Sequence, residues 1–199
     1  MNWQAAVIQA VSWDAAGLRL INQGAYWRPL ADLTYWVARD QVILGVLGGA
    51  VAAYILYAGL RRALWVSAWS AAAVMLTQLI HNSWFKLFFN RPRPFLRQEG
   101  VRLCVALNDL SQVSLSFPST HSASAAALAV VIAGLDPALK WPAIGFALLI
   151  GLGTVYSGGH YPADVLAGYA AGGGVGWLLL RLRPFLSWAD PCSAGQGRP

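Results

Sequence analysis

Charge is scarce in this sequence. Only 11% of its 199 residues are Asp, Glu, Lys or Arg, against about 25% in an ordinary soluble domain. With 57% hydrophobic residues, the chain cannot cover its own surface with polar groups, and it needs lipid as solvent. Cysteine is nearly absent. Cys104 and Cys192 make no disulfide framework, and neither has metal-ligand spacing. Acidic residues number 8 against 14 Lys and Arg, a formal net charge of +6. No basic helix with interleaved aromatics accompanies that excess, so nucleic-acid binding is not expected. The cations fall at the ends of apolar runs or in one cluster at 86–102, which suits headgroup anchoring and topology control. Met1–Ala15 lacks a basic start and a long apolar core, and it carries Gln4, Gln9 and Asp14. It is not expected to be a cleavable signal peptide.

What is abundant is long apolar sequence. Spanning a bilayer takes about 20 apolar residues. Five segments qualify: Val42–Leu60, Ala63–Trp84, Ser119–Leu135, Lys140–Tyr156 and Pro162–Leu180. The ten Trp residues suit interfacial aromatic belts. Residues 1–39 alternate apolar and polar side chains and are broken by Pro29, as expected of amphipathic helices lying in the interface. The expected organisation is an interfacial segment at 1–39, a membrane domain at 40–184 and a flexible tail at 185–199. The fold class is all-α, a polytopic transmembrane bundle of about five spanning helices. Gly168, Gly172 and Gly176 form a small-residue stripe for close helix packing.

Counting crossings puts the polar loop 85–118 and the turn 157–161 on one membrane face, with Arg61, Arg62, Lys140, Arg181 and Arg183 on the other. The short loops of that second face fit the positive-inside rule, which makes the first face extracytoplasmic.

Three polar clusters converge on that face. The first runs from Lys86 through Arg91 to Arg93-Pro94, with no acidic residue before Glu99. Cations at this depth call for an anionic partner, and phosphate suits both the Arg fork and the Lys point charge. The second is Ser116-Phe117-Pro118-Ser119-Thr120-His121, in which Pro118-Ser119-Thr120 opens a helix. Helix N-termini offer free N–H groups and positive dipole to an anion. The third is Tyr156-Ser157-Gly158-Gly159-His160-Tyr161-Pro162-Ala163-Asp164. A carboxylate four residues after His160 can accept the imidazole N–H and raise its nucleophilicity. Gly158 and Gly159 allow backbone to approach a ligand closely. Taken singly, each cluster also fits anchoring, helix capping or an interfacial His.

Together these residues resemble the three-part signature of the type 2 phosphatidic acid phosphatase (PAP2) superfamily, K-x6-R-P, P-S-G-H and S-R-x5-H-x3-D. Lys86, Arg93 and Pro94 match the first part, Pro118, Ser119 and His121 the second, with Thr120 in place of Gly, and His160 and Asp164 the third. The resemblance covers about residues 80–180. The short chain and Leu20-Ile21-Asn22-Gln23 are most similar to the bacterial undecaprenyl-diphosphate phosphatase branch. One position departs: Thr154 stands where the third part has arginine, with Gly153 for the serine before it. Arg91 and Arg97 are the candidate substitutes for that lost cation.

The resemblance implies a lipid phosphatase in the cell's inner membrane, with its site on the extracytoplasmic face. His160 would attack phosphorus and form a phosphohistidine, oriented by Asp164. Lys86, Arg93, Arg91, Ser119 and the Thr120 N–H would hold the phosphoryl oxygens, and His121 would protonate the leaving oxygen. No metal or cofactor is implied. The partners are a lipid phosphate or diphosphate and membrane lipids, with homo-oligomerisation open. Undecaprenyl diphosphate, a carrier in cell-wall biogenesis, is the leading substrate. Phosphatidate, phosphatidylglycerol phosphate, phosphate transfer to a lipid acceptor, and a weakened member that only binds lipid phosphate are the alternatives. A zinc site from His121, His160 and Asp164 and a serine hydrolase using Ser119 or Ser157 are lesser ones.

Overall fold

The computed structural model describes residues 12–25, 27–29, 40–104 and 115–186. The segment 30–39 and all of the expected tail beyond residue 186 lie outside the described residues. Residues 12–19 form α1, which runs into a π-helical turn, Leu20–Gly24. The long helices follow as α2 (Asp40–Ala58), α3 (Leu60–Ile80), α4 (Thr120–Leu135), α5 (Lys140–Tyr156) and α6 (Pro162–Leu186). Beyond Ile80, α3 continues through a π-turn, His81–Phe85, and a last α-turn, Lys86–Phe89. Among the described residues there is no strand, only an isolated antiparallel bridge between Pro92 and Leu115.

Among the described residues, three helices are long and apolar enough to cross a membrane: Leu60–Ile80, Pro137–Tyr156 and Pro162–Pro184. α2, the 19 residues Asp40–Ala58, is nearly as long, and Thr120–Leu135 is a shorter apolar helix. At 1.5 Å per residue α4 is only about 24 Å long, against a hydrocarbon core of roughly 30 Å. Each of the five predicted spans is helical, and α4 is the shortest of them. The first boundary also moves. Gly59 adopts φ 83° and ψ 154°, a region open in practice to glycine alone. It ends α2 two residues early and places Arg61 and Arg62 in the first turn of α3.

The core lies around α4, which packs against α3, α5 and α6. On the α3 side Trp69 and Ala73 meet Ala127 and Val131. On the α5 side Ala125 and Ala129 meet Ala143 and Ala147. Small residues let these backbones approach closely. The glycine stripe of α6 faces α4: a Cβ on Gly168 would sit 2.6 Å from the Ser119 carbonyl oxygen, and one on Gly176 2.8 Å from that of Ala127. At Gly172 it would overlap the Ala123 carbonyl.

Each end of the bundle has polar fasteners. Away from the polar loop, buried Asp136 accepts from Tyr54 Oη at 2.6 Å and pairs with Arg62 at 3.3 Å. At the loop end, fully buried Asn22 binds through every part of its amide. Its Nδ2 donates to the carbonyls of Arg102 and Tyr156, each at 2.7 Å, and its Oδ1 accepts from the Arg102 N–H at 2.8 Å. One side chain thereby joins the N-terminal segment, the polar loop and the end of α5. The N-terminal segment is docked onto the bundle at this point.

Candidate active site

The site forms where α4 and α6 begin. Tyr161 caps α6, Pro162 opens it, and Asp164 reaches back to accept the Tyr161 N–H at 2.9 Å. This is the carboxylate half of a capping box. The Asp164 carbonyl accepts the Ser119 N–H at 3.0 Å, which ties the two helix starts together. Ser119 caps α4. Its Oγ accepts from Ser122 N at 3.4 Å and Ser122 Oγ at 3.0 Å, leaving its own O–H proton to donate to a bound oxygen. Thr120 Oγ1 is buried with no partner among the described residues.

His160 is 3% exposed. Its Nδ1 lies 3.6 Å from Asp164 Oδ2, an ion-pair distance slightly long for a hydrogen bond. Its Nε2 lies 3.4 Å from Arg93 Nη1, which also donates to the Gly159 carbonyl at 3.1 Å. Burial, followed by the charges of Arg93 and His121, lowers the His160 pKa to about 4 against the pull of Asp164. The imidazole is therefore neutral at physiological pH, and Nε2 is the nitrogen that faces the Arg93 guanidinium. Burial also lowers the pKa of Lys86, as does the charge of Arg93, while Arg93 is lowered by burial and supported by Asp164. His121 is exposed in the first turn of α4 and acts electrostatically on His160.

A model of the PAP2 superfamily matches residues 67–188. The chain belongs to the PAP2 superfamily.

Among its relatives, undecaprenyl-diphosphatase BcrC of Bacillus subtilis (strain 168) is 32% identical over 112 residues, 54% of this chain and 55% of that protein. The lipid A 1-phosphatase of Rhizobium etli is 32% identical over 110 residues, 55% of this chain and 47% of that one. The chain thus spans about half the length of the curated relatives it matches. The crystal structure of Aquifex aeolicus LpxE superposes with a TM-score of 0.61 and 28% identity, covering 82% of this chain and 92% of that one. A PAP2-type phosphatidylglycerolphosphate phosphatase from Bacillus subtilis superposes at 0.60 with 20% identity, covering 92% and 90%, and it supports the fold alone. The PAP2 assignment and these membrane neighbours make the chain a membrane protein of a phosphatase family.

The PAP2 motif residues are brought together unevenly. Arg93, His160, Asp164 and Ser119 form a connected set, with Lys86 and His121 within electrostatic reach. Arg91 is held elsewhere. Its Nη1 binds Asp164 Oδ1 at 2.7 Å and its Nη2 binds Asp14 Oδ2 at 2.6 Å. Arg97 is exposed and lines a hollow of about 500 Å³ with Asp14, Arg91 and Tyr161. Thr154 turns its hydroxyl back onto the Gly151 carbonyl at 2.8 Å. Gly158 has φ 77°, and a Cβ there would sit 2.7 Å from the Arg102 carbonyl. Its close approach is to the protein's own loop.

Among the described residues no three His, Cys, Asp or Glu side chains gather as a metal-binding group. Two residues escaped the sequence reading. Asp14 was visible only as an acid in a polar segment, because its partners Arg91 and Ala163 lie 77 and 149 positions away. Fully buried His81 sits at the start of the π-turn, its Nδ1 3.0 Å from the Thr77 carbonyl. Its Nε2 has no partner among the described residues.

Proposed function

We propose that the protein is a membrane lipid phosphatase that works through a phosphohistidine at His160. The observation that carries this reading is the His160 imidazole, with Asp164 on one nitrogen and Arg93 on the other. The Nε2 lone pair forms an N–P bond with the terminal phosphoryl group as the bond from phosphorus to the leaving oxygen breaks. Arg93, Lys86, the Ser119 hydroxyl and the Thr120 N–H take the charge of the three equatorial oxygens, where transition-state stabilisation is greatest. His121, as imidazolium, gives its proton to the leaving oxygen. Water then attacks phosphorus and returns a proton to His121. The N–P bond breaks, phosphate departs and neutral His160 is restored.

Undecaprenyl diphosphate is the proposed substrate, hydrolysed to undecaprenyl phosphate at the extracytoplasmic face of the inner membrane, where the carrier is recycled for cell-wall biogenesis. The relative BcrC supports this choice, and the lipid A 1-phosphatase supports a phosphorylated glycolipid instead. The lipid tail stays in the bilayer while its headgroup meets the loop end of the bundle.

The test is phosphate release by the purified chain from undecaprenyl diphosphate, lipid A, phosphatidate and phosphatidylglycerol phosphate, each with and without EDTA. Turnover fastest on undecaprenyl diphosphate and lost in His160→Ala is expected. Near-normal release by His160→Ala would remove the nucleophile assignment, and a different preferred lipid would replace the substrate.

A further inference from the structure

The Arg91 guanidinium is bound between two carboxylates. Nη1 donates to Asp164 Oδ1 at 2.7 Å and Nη2 to Asp14 Oδ2 at 2.6 Å. Its plane lies over the Tyr161 ring, 4.0 Å from the centroid. To hold a phosphoryl group, this side chain would have to give up short charge-assisted bonds, the strong class of hydrogen bond.

Asp164 is completely buried. Its Oδ1 serves Arg91, while its Oδ2 is divided between the Tyr161 N–H at 2.9 Å and His160 Nδ1 at 3.6 Å. The longest of these contacts is the one to the imidazole. The charge that reaches His160 is therefore what Arg91 leaves uncompensated. Asp14 draws on the same guanidinium from the other side. Its Oδ1 also accepts the Ala163 N–H at 2.8 Å, so α1 grips both the arginine and the first turn of the helix that carries Asp164.

We propose that Asp14 and Arg91 are positioning residues for the nucleophile: Arg91, shared between Asp14 and Asp164, sets the negative charge that Asp164 presents to His160. The role rests on the reading of His160 as the attacking group. It makes the N-terminal helix part of the site and assigns Arg91 to the nucleophile's support. The charged groups facing His160 are Asp164, Arg93 and His121. Those facing Asp164 are Arg91, Arg93 and His160, and Asp14 faces Arg91 beside the Tyr161 ring.

The signs follow from Coulomb's law. Without the Arg91 cation, Asp164 stabilises the His160 imidazolium more strongly and the histidine becomes more basic. Without the Asp14 anion, Arg91 bears more fully on Asp164 and the histidine becomes less basic. The experiment is a ¹⁵N NMR titration of the His160 imidazole in the full chain in detergent, with the signal assigned by its loss in His160→Ala. Arg91→Gln is expected to raise the midpoint by on the order of one pH unit and Asp14→Asn to lower it by roughly half as much. The acid limb of kcat/KM for undecaprenyl diphosphate hydrolysis should move in the same directions. A residue that only braces the fold would lower kcat and leave the midpoint in place.

Midpoints unmoved in both variants, or moved in the same direction, overturn the proposal. If Arg91→Gln does not fold, Asp14→Asn still decides, because its amide keeps an acceptor for the Ala163 N–H and its expected shift has a definite sign. Midpoints that shift as expected while phosphate release is insensitive to His160→Ala uphold the charge coupling and refute the phosphatase mechanism.

Discussion

The Thr154 carbonyl accepts the His160 N–H at 3.2 Å, while the Thr154 hydroxyl donates to the Gly151 carbonyl at 2.8 Å. The residue at the third-motif arginine position thus braces His160, the proposed nucleophile, through its backbone and offers its side chain to its own helix. It supplies no cation. Removal of one preorganised donor typically costs about 10²–10³ in rate. Thr154→Arg is therefore expected to raise kcat for phosphate release by at least about 10-fold, with little change in KM. An unchanged kcat in steady-state assays would mean that Arg93 and Lys86 already neutralise the transferring group.

Protonation of His160 sets an acid limit. Its pKa of about 4, lowered by burial first and then by Arg93 and His121, keeps it neutral above that pH. An unfolded histidine takes its proton near about 6.5. From about 6.5 down to about 4 the unfolded chain binds the extra proton, so this group's contribution to stability is complete above that window and is lost as pH falls through it. Thermal melts of the wild type should therefore fall more steeply between pH 7 and 4.5 than those of His160→Asn. Parallel slopes in the two proteins would show that His160 is not buried in its neutral form.

Contact between α4 and α6 depends on the absence of a side chain. A Cβ on Gly172 overlaps the Ala123 carbonyl, whereas one on Gly174 has nothing within 4 Å. Overpacking typically costs about 1–3 kcal/mol, and here the obstacle is backbone. Gly172→Val is expected to lower Tm strongly and to lower phosphate release, since these helices carry Asp164 and Ser119 at their starts. Gly174→Ala should behave as wild type. Thermal denaturation in detergent and the release assay check both, and a wild-type Tm for Gly172→Val would mean the helices pack elsewhere.

Much of this was legible in the sequence. Low charge and long apolar runs require membrane helices, because every backbone polar group in lipid must be bonded within its own segment. Crossing parity put Lys86, Arg93, Ser119, His121, His160 and Asp164 at one end of the bundle, and helix capping was open for Ser119 and Asp164 as an alternative reading. Hydropathy could not read the break at Gly59, since a single φ of 83° leaves no trace in an average over many residues.

The division between the two levels is physical. Which residue types the chain carries, how they are spaced along a helix, and which membrane face they reach are local properties of composition and period. Which oxygen a guanidinium grips is a property of three-dimensional packing. Arg91 looked like a ligand for phosphate because its neighbours in the chain are Lys86 and Arg93. It serves Asp14 and Asp164 because folding brings carboxylates 77 positions before and 73 positions after it within 2.7 Å. Buried charges pair with the opposite charges nearest in space, and sequence distance does not enter that choice.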